Sequence, residues 1–117
     1  MSAARDHLYD SPNDFFQLKG SVWMRLTPTA AAQVCAEAAK NGSVVARVEG
    51  GIWHDPGFEA RGDCIWDGID PPVDSSKAEA NNVQAANFIR SEAKRHSAFI
   101  LTAPPLTGWP HKVDNAP

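Results

Sequence analysis

The chain is short of several things at once. Its 117 residues include two cysteines and one tyrosine, and no cluster of lysine or arginine occurs in them. There is no run of the roughly 18 apolar residues that a membrane-crossing helix needs, and the opening MSAARDHLYD has no apolar stretch of the secretory-signal kind. These absences lead to the expectation of a cytoplasmic protein with no membrane span. Cys35 falls in a segment with helical spacing and Cys64 in one with strand alternation, which reads as two buried thiols of a reducing compartment before it reads as a disulfide. A sequence pI near 5.7 without a basic stripe excludes the usual direct nucleic-acid binder. No CxxC, HxxxH or HExxH spacing is present, and His54, His96 and His111 are scattered, so neither a metal nor a cofactor is expected. Gly50 and Gly51 sit between strands and open no helix, so they form no phosphate loop.

What is there is concentrated in residues 49–74, EGGIWHDPGFEARGDCIWDGIDPPVD. Glu49, Asp55, Glu59, Asp63, Asp67, Asp70 and Asp74 face one strong base, Arg61, a formal charge of −6 in a chain whose net charge is −3. Trp53 and Trp66, two of the four tryptophans, lie in the same stretch. Local acidity with aromatic residues suits capture of a basic partner.

Taken in order, residues 1–20 read as an N-terminal arm whose Phe15, Phe16 and Leu18 form an anchor. Residues 21–26, SVWMRL, alternate like a strand. Thr27 is placed to cap a helix with Pro28 at its first position and Gly42 at its far end. Ala31, Val34, Cys35 and Ala38 give that helix a stripe of small residues. SVVARVE, 43–49, reads as a second strand, GGIWHDPG as a turn, and 58–67 as a third strand paired with the second. Ser76 and Glu79 have capping-box spacing for a second helix running to about His96, with Ala78, Asn82, Ala85, Ala86, Ile89 and Ala93 on its buried stripe. AFILTA, 98–103, reads as a central strand, and 106–117 as a tail pinned by Trp109.

The order β-α-β-β-α-β over 21–105 predicts a single α+β domain of the ferredoxin-like, split βαβ kind. Two helices would cover one face of a four-stranded antiparallel sheet. Strand parity assigns Val22, Met24, Val44, Ala46, Val48, Phe58, Cys64 and Trp66 to the helices. It assigns Trp23, Arg25, Arg47, Glu49, Glu59, Arg61, Asp63 and Ile65 to the open face, where Tyr9, Phe15 and Phe16 of the arm are expected to cover Trp23.

The candidate partner-binding residues are Trp53, His54, Asp55, Glu59, Arg61, Asp63, Asp67 and Asp70. The structural alternative for the acids is a solvated face, and for Trp53 a ring folded back on the sheet edge. Interleaved aromatic residues favour a contact surface, because interface anchors are typically aromatic groups ringed by polar ones. A second class of function would use His54, Glu59 and Asp63 on the open face as acid, base or metal ligands of a small enzyme or ligand-binding domain. Cys64, on the inward parity, is a poor nucleophile. Packing of two open faces into a homodimer is a third possibility.

The stretch GGIWHDPGFEARGDCIWDGIDPP, with NNVQAANFIRSEAKRH and FILTAPP after it, resembles small bacterial immunity proteins paired with contact-dependent growth inhibition or colicin-like toxins. The likeness covers most of 20–108 and lies in length, acidity and a Trp-rich surface. It implies a non-enzymatic protein that binds and neutralises a toxin domain. Many such toxins are nucleases with basic grooves, for which an acidic patch would compete.

Overall fold

The structure, a computed structural model, describes residues 4–110. His111 and the rest of 111–117 in the expected tail, with the first three residues of the arm, lie outside the described residues. The elements in chain order are β1 (Leu8–Tyr9), α1 (Pro12–Gln17), β2 (Arg25–Leu26), α2 (Pro28–Ala38), a 3-10 turn (Ala39–Asn41), β3 (Arg47–Trp53), β4 (Phe58–Asp67), α3 (Ser75–Glu92) and β5 (Ala98–Thr102). They form one five-stranded sheet in the order β1-β2-β5-β3-β4. All pairings are antiparallel except that of β1 with β2. The class is therefore α+β. From β2 to β5 the chain runs β-α-β-β-α-β, and α2 and α3 each cross between two like-directed strands that have one opposed strand between them, which makes both crossovers split βαβ units.

The helices form where the sequence supplies their ends. Thr27 Oγ1 accepts a hydrogen bond from Ala30 N at 3.2 Å, Pro28 follows, and Gly42 takes the left-handed φ of 78° beyond the 3-10 turn. α3 is capped by Asp74, whose carboxylate accepts from Lys77 N at 2.8 Å, in place of the expected box at Ser76. A carboxylate at that position also suits the positive end of the helix dipole. The helical hydrogen-bond pattern gives way to a turn after Glu92, short of the expected His96, and Ala93 is exposed.

Small residues let α2 and α3 lie close to the sheet. Ala30, Ala31, Val34, Cys35, Ala38, Ala85, Ala86 and Ile89 pack with Met24, Leu26, Val48, Phe99 and Leu101 in one core. β5 is central, as its apolar run requires, and both cysteines are buried and free. Phe15 of α1 is the buried anchor of the arm, and β1 adds an edge strand that the sequence did not signal.

Four expectations change. The stretch 21–26 is a strand only at Arg25–Leu26; residues 21–23 form a turn in which Trp23 N and Met24 N both donate to Gly20 O at 2.9 Å. Val22, expected inward, has φ 65° and is exposed. The second strand starts late, at Arg47, and runs through the glycines to Trp53, leaving only His54–Gly57 as the turn, closed by His54 N donating to Gly57 O at 2.8 Å. Finally, between the pairs Glu49–Ile65 and Gly51–Ala60, β3 supplies the single residue Gly50 while β4 supplies residues 61–64. An odd surplus inverts the alternation of side chains. Cys64 stays buried and Trp66 packs on the core, but Phe58, expected inward, crosses to the open face beside Gly51, its ring 5.6 Å from the Arg25 guanidinium. The same inversion puts Glu59 on the opposite side of the strand from Phe58.

Residues 44–46 are buried yet lie outside the strand. Two asparagines of α3 satisfy part of their backbone. Asn82 Oδ1 accepts from Val45 N at 2.8 Å, and Asn81 Nδ2 donates to Val45 O at 2.8 Å. Asn81 Nδ2 also reaches Asn82 Oδ1 at 3.0 Å, and Asn81 Oδ1 accepts from Ile69 N at 3.0 Å. Asn82→Leu should lower unfolding stability by about 2–3 kcal/mol, because it strands a buried amide. Asn87→Ala, on the exposed side of α3, should change it by less than about 0.5 kcal/mol. Urea unfolding of the two variants measures both.

Candidate functional site

The β3–β4 hairpin stands at the edge of the sheet, and among the described residues no strand lies outside β4. A ten-residue edge would invite pairing with another chain. Here the bulge interrupts it, and charged side chains line it.

Seven of the eight candidate residues fall into three groups along this hairpin and the loop after it. At its tip, Glu59 lies between two partners, with Oε1 2.7 Å from His54 Nε2 and Oε2 3.1 Å from Arg61 Nε. The hydrogen bond from His54 first, and the Arg61 charge second, hold the Glu59 carboxyl below the usual glutamate range. At the base, Arg47 stands 3.4 Å from Asp67 and 3.6 Å from Glu49 across the register rows. Asp55, Asp63 and Asp70 form the third group. They are exposed, and among the described residues they make no ion pair. The seventh acid of the stretch, Asp74, is used as the cap of α3. The acids of this stretch with neither an ion-pair partner nor a capping role are thus three aspartates strung from tip to loop.

Trp53 is half-buried rather than a free loop residue. Its backbone N donates to Ser97 Oγ at 2.9 Å, and its register partner is Phe58, so the two rings share the open face. That face continues through Ile65 and Arg25 to Trp23, which is 45 % exposed. Its cover differs from the one expected, since the Arg5 guanidinium stacks 4.0 Å above the Trp23 ring while Phe15 packs in the core. Arg25 donates to Trp23 O at 2.6 Å, and partial burial followed by the nearby Arg5 charge lowers its pKa. Arg5 and Phe58 had no signal in the sequence. Only the tertiary approach of the arm and the bulge bring them to this face.

The arrangement offers little for a catalytic cycle. The His54–Glu59 pair is more than 40 % exposed on both sides and lines neither of two grooves among the described residues. The larger of these, about 550 Å³, lies between the arm and the residues after β5, lined by Phe15, Phe16, Val22, Pro104 and Trp109. Burial raises the Cys64 thiol to about 11 and the Cys35 thiol to about 12, the opposite of what a nucleophile needs. Both thiols should therefore resist a disulfide reagent at pH 8 in the native protein and react only on addition of denaturant. Rapid labelling of Cys64 without denaturant would refute its burial.

A family model described as Colicin-E5 Imm protein matches residues 24–103. An immunity protein, CdiI, of Burkholderia pseudomallei is 63 % identical over 101 residues, covering 86 % of this chain and 93 % of that protein. Two proteins of Escherichia coli, the colicin-E5 immunity protein and the colicin-E5 immunity protein in ColE9, are each 38 % identical over 80 residues, 68 % of this chain and 96 % of theirs. The matched segment begins beside β2 and closes just after β5, so it holds both helices, the paired asparagines and the acidic hairpin, and the chain belongs to the colicin-E5 immunity protein family of bacterial immunity proteins.

Proposed function

We propose that this chain binds and neutralises a cognate toxin domain in the cytoplasm, presenting the outer edge of the β3–β4 hairpin to a basic, nuclease-type groove. The observation that carries the reading is the row of unpaired aspartates, Asp55, Asp63 and Asp70, on an edge whose other acids are already matched or used as a cap. Family membership supports the toxin as the partner, and the two buried free thiols are consistent with a reducing compartment. Trp53 and Phe58 beside the acids supply the apolar contact that charge alone lacks. The charges act mainly on encounter, raising association above the roughly 10⁵–10⁶ M⁻¹s⁻¹ found without steering.

The test is made with a candidate cognate toxin domain. Cells producing that domain should survive only when this chain is coexpressed. By stopped-flow mixing, association should slow steeply as salt is raised. Asp63→Lys should slow it about tenfold, whereas Lys94→Glu, in the turn after α3, should not. Equal effects from the two changes would remove the acidic edge from the interface, and failure of coexpression to protect would remove the toxin as partner.

A further inference from the structure

Cys64 is far from Glu92 and His96 in the sequence but not in the fold. Their ligand atoms all lie within 4.8 Å of one another, between the bulge of β4 and the end of α3. Glu92 closes α3 and His96 follows four residues on, after a short turn, and both reach the point where Cys64 faces inward. His96 is 93 % buried, since its relative exposure is 7 %. Its Nδ1 is 3.2 Å from Glu92 Oε1 yet makes no hydrogen bond. A buried ring nitrogen without a hydrogen-bond partner is uncommon. Here it is aimed at a carboxylate and a thiol.

We propose that Cys64, Glu92 and His96 form a binding site for a divalent transition-metal ion of the zinc type. One sulfur, one imidazole nitrogen and one carboxylate oxygen are a borderline-soft donor set that favours zinc or cobalt over magnesium or calcium. Around a tetrahedral zinc with bonds of about 2.0–2.3 Å, donor atoms stand roughly 3.3–3.8 Å apart, so the cluster has to close by about 1 Å to bind. Glu92 and its neighbours can supply that movement. Its carboxylate is held from outside by Arg95 Nη2, at 2.9 and 3.0 Å from the two oxygens, and the Arg95 side chain is 70 % exposed and free to swing away. The fourth position is left to water. On binding, the Cys64 thiol gives up its proton to solvent and the thiolate forms the metal–sulfur bond; no electron is transferred. The ion would tie the end of α3 to residues 61–64, the bulge that carries Asp63.

The lack of CxxC or HExxH spacing led to no metal being expected, and nothing in the linear sequence links position 64 to positions 92 and 96. The inference also stands apart from the toxin reading, since it needs no partner.

The experiment uses the full chain, reduced, stripped with a chelator and titrated with cobalt(II). One equivalent should produce a thiolate-to-cobalt charge-transfer band and the intense d–d absorption of a four-coordinate site, both abolished by one equivalent of zinc. Zinc, and not magnesium, should raise the thermal midpoint by several degrees, because a ligand of the native state alone stabilises it. Cys64→Ser should remove the charge-transfer band while Cys35→Ser leaves it unchanged. Glu92→Gln, an isosteric change at a largely buried side chain, should weaken binding at least tenfold, and Arg95→Ala should preserve or tighten it. No band and no zinc-dependent midpoint at one equivalent would overturn the proposal. So would a band that survives Cys64→Ser, or full affinity in Glu92→Gln.

Discussion

Residues 44–46 run through the interior between the 3-10 turn and β3 without joining the strand, and the amides of Asn81 and Asn82 take up backbone hydrogen bonds that a strand partner would have made. The same pair reaches Ile69 N, just past the end of β4. One turn of α3 thus holds both the entry to β3 and the exit from β4. Gly68 completes the junction, because a Cβ there would meet Val45 O and Asn81 Oδ1. The acidic hairpin projects from this clamp, so its orientation on the domain depends on two buried amides that carry no charge themselves.

The hairpin spreads its charge unevenly. Arg47 pairs with the two acids at its base, Arg61 and a hydrogen bond from His54 hold Glu59 at its tip, and the helix cap takes another acid. Exposed ion pairs of this sort contribute little stability, being screened and entropically costly. Their larger effect is to decide which acids remain unmatched. The bulge acts in the same direction, since it blunts an edge strand that would otherwise pair with another copy and turns Phe58 to the face that Trp53 occupies.

Local chemistry made much of the fold legible. Pro28 after Thr27 and Gly42 at the far end mark α2 because they satisfy or accommodate its terminal backbone groups, and the apolar AFILTA announces a central strand because it must be covered on both sides. The candidate site was legible as composition only. The count of acids in 49–74 pointed to the hairpin, but it could not tell Asp63 from Glu59, since pairing depends on distances across strands. Arg5 over Trp23 was hidden for the same reason, as 17 residues of unpatterned chain separate them.

The sequence by itself determined the order of the elements from β2 to β5, the ends of α2, the small-residue stripes and the family resemblance. Tertiary structure alone decided the parity of Phe58 and Glu59, through an odd bulge that no periodicity reveals. It also decided the role of Asn81 and Asn82 and the meeting of Cys64 with Glu92 and His96, because those contacts join residues that only the packing of α3 on the sheet brings within reach.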